Sequence, residues 1–335
     1  MQGSRSYPAM TELEARLCEE LQIGIPICQR PFEHMANMLG CTEEAIVASI
    51  NRLREQGIIR RFGPIINHRT MGRYSTLVMG HLPEQILGSA AELINKLPHV
   101  SHNYIRDHHY NLWFTLHANT QQQAQAMIGQ LAGLLGIGLY SLPTIRVLKL
   151  QVYFPITGQG ERHVHPSVAT TGRQIPNLLQ SQILERMLPD IPIHPRPFAL
   201  LAEGLAAEQE VIEAVAGLVA KGIVRRISAI LDHYALGLCA NALLAAQVQP
   251  DKVESAIGPL ASSRLVSHLV LRKQVEAWPY NLYAMIHASD MEQIYLLVGA
   301  FAEQAGNCEY QLLRTVRQVK KAPSPYRLPE DIGLV

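Results

Sequence analysis

Gly57-Ile58-Ile59-Arg60-Arg61-Phe62-Gly63-Pro64-Ile65-Ile66-Asn67-His68 returns 165 positions later as Gly222-Ile223-Val224-Arg225-Arg226-Ile227-Ser228-Ala229-Ile230-Leu231-Asp232-His233. The echo continues downstream. Val100-Ser101-His102 matches Val266-Ser267-His268, Tyr110-Asn111-Leu112-Trp113 matches Tyr280-Asn281-Leu282-Tyr283, and His117-Ala118 matches His287-Ala288. A tandem duplication lets two copies of one fold pair inside a chain as the halves of a homodimer do. Where the copies differ, chemistry can have specialised.

Each copy has the same internal order. In copy one, Thr11 with Glu14 three residues on is a capping box that opens a helix through Leu21. Phe32 to Leu39 makes a second helix. Gly40 stops it, and Thr42 then opens a third, with Ile46, Ile50 and Leu53 at helical spacing and Gly57 at its end. Ile58 to Ile66 reads as strand with a Gly-Pro break. Three short helices followed by a strand pair is the winged helix-turn-helix pattern. The second part alternates differently: strand Tyr74–Leu82, helix Glu84–Leu97, strands Val100–Arg106 and Tyr110–His117, helix Gln121–Leu135, then strand from Gly138 to Tyr153. That βαββαβ order is the ferredoxin-like plan. The expected fold is therefore α+β, a tandem repeat of winged helix-turn-helix and ferredoxin-like domains. The expected boundaries are 10–70 and 71–154 for copy one and 177–235 and 236–322 for copy two. A Gly-, Pro- and Thr-bearing linker over 155–176 joins them.

Side chains alternate faces along a strand. Leu112, Phe114 and Leu116 then face the helices, while Asn111, Trp113, Thr115 and His117 face away. In copy two Asn281, Tyr283, Met285 and His287 do so. A sheet face with an aromatic and a His in both copies is not a water-facing surface. It must meet the other copy, a ligand, or both.

The 335 residues are 48% hydrophobic and 17% charged, enough for globular domains with their own cores. A net charge of +1 gives no global bias toward nucleic acid. The five scattered cysteines form no Cys-x-x-Cys pair and read as reduced thiols. No apolar run reaches membrane-span length, and Met1 to Glu14 lacks the pattern of a signal peptide, so a cytoplasmic location is expected.

The winged domain, the Arg-Arg-x-x-x-Ile-[Ile/Leu]-[Asn/Asp]-His segment and the βαββαβ unit together resemble the Lrp/AsnC regulators. Two further segments, His108-His109-Tyr110-Asn111-Leu112-Trp113-Phe114-Thr115 and Trp278-Pro279-Tyr280-Asn281-Leu282-Tyr283, resemble the siroheme decarboxylases, Lrp-like enzymes of heme d1 biosynthesis and of the alternative heme pathway. Copy one is similar to the D-type subunit and copy two to the L-type. The resemblance implies conversion of siroheme to 12,18-didecarboxysiroheme without an organic cofactor, the iron belonging to the substrate. It implies siroheme or a related iron tetrapyrrole as ligand, and other heme d1 biosynthesis subunits as candidate partners.

The residues suit that chemistry. Loss of CO2 from an acetate arm leaves electron density beside a conjugated ring that can accept some of it. The protein must hold a polyanion, shield the reacting carboxylate and deliver a proton. His108 and His109, in the turn between two strands, are the expected proton donors. An exposed turn is also where plain surface histidines occur. Copy two has Trp278-Pro279 there, so copy one is expected to supply the chemistry. Expected carboxylate or ring contacts are Arg60, Arg61, Arg106, Tyr110, Asn111, Trp113, Arg225, Arg226, Trp278 and Tyr280. For at least one arginine of each Arg-Arg pair, a solvated or ion-paired role is the better expectation. Arg146, Lys149, Arg317, Lys320 and Lys321 are weaker candidates. His68 and His233 suit local turn bonding, His117 and His287 interface packing. No metal site is expected, His163-Val164-His165 being weak evidence for one.

Two rivals remain at this stage, a DNA-binding regulator and a non-catalytic tetrapyrrole carrier or sensor. The third helices argue against DNA. Copy one sets Glu43, Glu44 and Glu55 against Arg52 and Arg54, and copy two sets Glu208, Glu210 and Glu213 against Lys221 alone. The carrier would keep the arginines but would not need the paired histidines.

Overall fold

The computed structural model describes residues 10–150, 153–154, 156–157, 172–323 and 326–328. His163 and His165, and most of the expected linker, lie outside them. Copy one runs α1 (Glu12–Ile23), α2 (Pro31–Leu39), α3 (Glu43–Glu55), β1 (Ile59–Ile66), β2 (Tyr74–Gly80), α4 (Glu84–Lys96), β3 (Val100–Arg106), β4 (Leu112–Ala118), α5 (Gln121–Leu135) and β5 (Leu139–Leu150). Copy two runs α6 (Leu178–Met187), α7 (Pro197–Ala202), α8 (Glu208–Ala220), β6 (Val224–Leu231) and β7 (Ala240–Ala246). It continues with α9 (Val253–Ala256), α10 (Gly258–Ser262), β8 (Val266–Arg272), β9 (Leu282–Ala288), α11 (Met291–Gln304) and β10 (Tyr310–Lys321). The pair α9 and α10 stands where copy one has the single helix α4. Pro259 lies in the first turn of α10, where a proline is tolerated but an uninterrupted helix is not.

Like parts of the two copies fold together. One unit holds both helical domains, the other both βαββαβ domains. In the helical unit, the capping box is real in each copy. Thr11 Oγ1 accepts from the Glu14 amide at 3.2 Å, and Asn177 Oδ1 from the Gln180 amide at 2.8 Å. Gly40 ends α2 at φ 73°, a left-handed conformation that glycine adopts without a Cβ clash. The strand after the third helix finds its partner in the other copy. β1 and β6 form a two-stranded antiparallel ribbon, and β1 passes unbroken through Gly63-Pro64.

In the second unit each copy builds a four-stranded sheet, β3-β4-β2-β5 and β8-β9-β7-β10. The last strand of each copy is long enough to serve both sheets. Leu139–Pro143 of β5 pair with β2, and the rest of β5 pairs with β8. Tyr310–Arg314 of β10 pair with β7, and the rest with β3. The eight strands therefore close into a barrel with no free edge.

The strand alternation expected from the sequence holds from Leu112 on. Leu112, Phe114 and Leu116 pack outward with Ala90, Ala91, Ile94, Met127 and Leu131 of α4 and α5. Trp113 points inward with Met79, Leu142, Leu243, Ala245, Tyr283 and Leu313. The second sheet face is thus the barrel interior, covered by the other copy. Asn111 departs from the expectation. It precedes β4, so alternation does not govern it. Its Oδ1 accepts from the Leu82 amide at 3.0 Å and its Nδ2 donates to the Leu82 carbonyl at 2.8 Å. Asn281 clamps Val248 the same way at 2.9 and 2.8 Å. Asn281→Ala would strand two backbone groups, so it should cost about 1–3 kcal/mol in chemical unfolding. Among the described residues no helix is long and apolar enough to cross a membrane.

Candidate active site

The β3–β4 turn of copy one and the longer β8–β9 loop of copy two meet in one aromatic cluster. Trp278 is buried and forms the centre. Its ring stands 5.5 Å from Trp113, 5.6 Å from Tyr110, 4.6 Å from Tyr280 and 5.3 Å from His108. Tyr140 packs edge-on to Tyr110 at 5.8 Å. Polar atoms of the cluster are tied down. Trp113 Nε1 donates to the Tyr110 carbonyl at 2.7 Å, Trp278 Nε1 to the Tyr283 hydroxyl at 2.9 Å, and that hydroxyl to the Tyr280 carbonyl at 3.1 Å. Indole and phenol therefore bring apolar area into the barrel with their polar tips bonded.

Three histidines sit on this frame. His108 is half-buried, and its Nδ1 accepts the Tyr110 amide proton at 3.0 Å. That bond fixes the neutral tautomer with the proton on Nε2. Burial pushes the imidazole below its ordinary value of 6.5. The neighbouring His109 pushes the same way, and Asp107 opposes. His109 is exposed and stacks on His81, ring centres 4.1 Å apart. His81 Nδ1 lies 2.6 Å from the His109 carbonyl, to which it must donate. Sequence reasoning missed His81. The Asn clamps align Leu82 with Val248, so copy two has Gln247 in its place. His81, His108 and His109 thus face Gln247, Trp278 and Pro279, which makes His81 readable as part of the same asymmetry.

Arg106 has a different place. It is buried, and its Nη1 donates to the Leu313 carbonyl at 3.2 Å and to Thr315 Oγ1 at 3.0 Å. Arg272 repeats this across the other seam, to the Leu142 carbonyl at 2.9 Å and Thr144 Oγ1 at 3.1 Å. Both therefore hold a fourth strand to the opposite copy, a role the sequence reading did not assign. Lys149 donates to the carbonyls of Ala261 and Ser263, Lys320 to those of Asn95 and Leu97. Each lysine closes the end of a helix in the other copy. Arg146 pairs with Glu254 and Arg317 with Glu92 at 3.4 Å.

Further along the barrel interior, Ser101 Oγ bridges His102 Nδ1 and His117 Nε2, each at 2.8 Å. Ser267 bridges His268 and His287 at 2.9 and 3.1 Å. Burial pulls His117 and His268 down to about 4. Unfolded, both would titrate near 6.5, so the unfolded chain binds more protons below that pH. Stability should be steady above pH 6.5 and fall as pH drops toward 4. The melting temperature across that window reads this directly, and Ser101→Ala should leave the trend in place.

The paired arginines lie in the helical unit. Arg60 is 3.9 Å from Asp232, Arg61 Nη1 donates to the Leu188 carbonyl at 2.9 Å, and Arg225 to Asn67 Oδ1 at 3.1 Å. Arg226 Nε is out of solvent and has no hydrogen-bond partner among the described residues. His233 packs on Tyr234 at 4.1 Å, in the turn that Asp232 caps. Among the described residues no three His, Cys, Asp or Glu side chains are grouped to hold a metal.

A family model described as an AsnC-like ligand binding domain matches residues 70–149 and 235–320. A second, described as a siroheme decarboxylase NirDL-like HTH domain, matches 14–60 and 180–225. The siroheme decarboxylase of Hydrogenobacter thermophilus is 31% identical over 316 residues, 93% of this chain and 94% of that one. The chain belongs to the siroheme decarboxylase family. The siroheme decarboxylase NirDL subunit of Paracoccus pantotrophus is likewise 31% identical, over 88% of this chain and 90% of its own. Among solved structures, a siroheme decarboxylase NirDL crystallised with an iron-uroporphyrin III analogue superposes with a TM-score of 0.71 at 28% identity, over 94% of each chain. Both family models match twice, so this family member repeats the helical domain and the ligand-binding domain as its sequence suggested.

Proposed function

We propose that this chain is a carboxy-lyase acting on siroheme, releasing CO2 from the C12 and C18 acetates to give 12,18-didecarboxysiroheme for heme d1 biosynthesis. The reading rests on identity with fused siroheme decarboxylases over nearly the whole length. Its chemical support is one observation: the three histidines of copy one gather at a turn packed against the aromatic cluster.

In each half-reaction the bond between the acetate methylene and its carboxyl carbon breaks. The electron pair passes into the macrocycle and returns to the methylene carbon as a C–H bond when a proton arrives. The macrocycle is the electron sink, and no separate organic cofactor is invoked. Tyr110 and Tyr140, both half-buried, offer flat apolar surface suited to a ring, and Trp278 backs Tyr110 from within. His108 Nε2 is the nitrogen left to serve substrate, since Nδ1 is committed to the backbone. Charging the imidazole puts a proton on Nδ1 as well and so breaks the bond from the Tyr110 amide, and a bound polyanion favours that charged form. Substrate binding should therefore take up a proton. The kcat/KM profile should fall as pH rises through an apparent value below 6.5, because the protonated form is the competent one. A profile flat from pH 5 to 8 would remove His108 as the donor. Reaction in deuterated buffer should place one deuterium in each new methyl group, and protium at those carbons would exclude a solvent-exchangeable donor.

DNA recognition is disfavoured by the third helices. Arg52 pairs with Glu14 at 2.6 Å, Arg54 with Asp190 at 2.6 Å, and Lys221 donates to Gln180 at 2.9 Å. The cations that would neutralise phosphates are committed within the protein. Other heme d1 biosynthesis subunits are candidate partners, given relatives named as subunits of siroheme decarboxylases.

A further inference from the structure

The helical unit carries an asymmetry of its own. Its two copies align through matched backbone bonds. Ile191 donates to the Phe62 carbonyl at 2.8 Å, and Ile25 to the Ile227 carbonyl at 2.9 Å. Asp190 of copy two therefore corresponds to Gly24 of copy one. By the same repeat Arg61 corresponds to Arg226 and Arg54 to Val219.

In one half, Asp190 is a hub. Both its oxygens accept from Arg54 Nη2, at 2.7 and 2.6 Å, and Oδ1 accepts the Phe62 amide at 2.8 Å. Its charge also supports the half-buried Arg61 guanidinium, which in addition donates to the Leu188 carbonyl. In the other half, both members of the ion pair are gone. Gly24 sits at φ 143°, and a Cβ there would stand 3.1 Å from the Ile227 carbonyl oxygen. The backbone itself resists an acid at this position. Val219 replaces the arginine.

What remains is a groove of about 330 Å³. Its apolar wall is Ile23, Ile25, Pro26, Met35, Met38 and Val219, and Arg225, Arg226 and Glu20 also line it. Arg226 Nε is out of solvent with no hydrogen-bond partner among the described residues. Burial and the adjacent Arg225 pull the guanidinium down to about 10. Glu20 lines the same groove, and the Arg226 Nε–H, out of solvent without an acceptor among the described residues, is costly to leave unmet.

We propose that this groove binds a small carboxylate with an apolar body, whose carboxylate accepts from the Arg226 guanidinium. The apolar part lies along Met35, Met38 and Val219. The inference is independent of the decarboxylase reading, and its test measures binding only.

The test is isothermal titration of the full-length chain with octanoate, octanamide and acetate in turn. Octanoate should bind saturably, and octanamide and acetate at least about tenfold more weakly. Arg226→Gln should weaken octanoate by at least about tenfold. Val219→Asp, which returns a carboxylate to the groove, should do the same while the melting temperature holds or rises. If Arg226→Gln does not fold, Val219→Asp decides. Equal affinity for octanoate and octanamide would mean apolar adsorption alone and would overturn the proposal. So would octanoate affinity unchanged in Val219→Asp, or no saturable heat up to roughly 10 mM octanoate.

Discussion

Replacing His108 with alanine should slow decarboxylation by about 10²–10⁴-fold, the usual range for a positioned general acid. Replacing His109 as well should abolish measurable turnover. Binding should survive both changes. His108 touches the aromatic cluster at its edge, 5.3 Å from Trp278, and His109 is exposed, so neither side chain holds the barrel together. Tetrapyrrole binding followed by absorbance, beside product mass in the same samples, separates the two effects. Full turnover in His108→Ala/His109→Ala would take these residues out of the mechanism. His81→Ala should give a smaller loss, since His81 acts through His109, stacking on its ring and bonding its carbonyl.

The second large effect belongs to Trp278→Ala. The indole is buried among Trp113, Tyr110, Tyr280 and His108, and its Nε1 donates to Tyr283. Truncation removes a large apolar group, and with it the bond that the Tyr283 hydroxyl accepts, in a barrel interior that cannot fully collapse. A cost of about 3–5 kcal/mol is expected in chemical unfolding. Activity should fall too, because the wall against which His108 packs is lost. Trp278→Phe should recover most of the stability, as the ring is kept and only the Nε1 bond to Tyr283 is missing. Alanine tolerated within 1 kcal/mol would mean that the loop carrying Trp278 contributes little to the packed interior.

Much of this molecule was legible in its sequence because the repeat reports on itself. Periodicity located the helices and strands of copy one within a few residues, since capping boxes, Gly40 and the β-branched runs act locally. The inward face of β4 was readable from alternation, and closure of the barrel explains why that face is apolar and aromatic in both copies. The partners of β1 and β6 were not readable, because a lone strand does not reveal which edge it joins.

The site divides along the same line. Residues present in both copies serve structure in both: Asn111 and Asn281 clamp a backbone, Arg106 and Arg272 hold a seam, and Ser101 and Ser267 bridge histidines. Repetition made Asn111 look functional, and nearness to His108 and His109 did the same for Arg106; the bonds of both tie backbone across the fold. The residues that differ between copies, His81, His108 and His109 against Gln247, Trp278 and Pro279, gather at one turn. Asp190 and Arg54 against Gly24 and Val219 mark the groove at Arg226. Side-chain bonds across the barrel seams lie beyond any local pattern, which is why Arg272 went unassigned and the two capping lysines, Lys149 and Lys320, read as weaker carboxylate candidates.

The most direct test is anaerobic incubation of the purified protein with siroheme, with the tetrapyrrole mass followed over time. Stepwise loss of two CO2 units, through a singly decarboxylated intermediate, is the predicted result. A shifted absorption spectrum with unchanged mass would contradict the account and leave a tetrapyrrole carrier in its place.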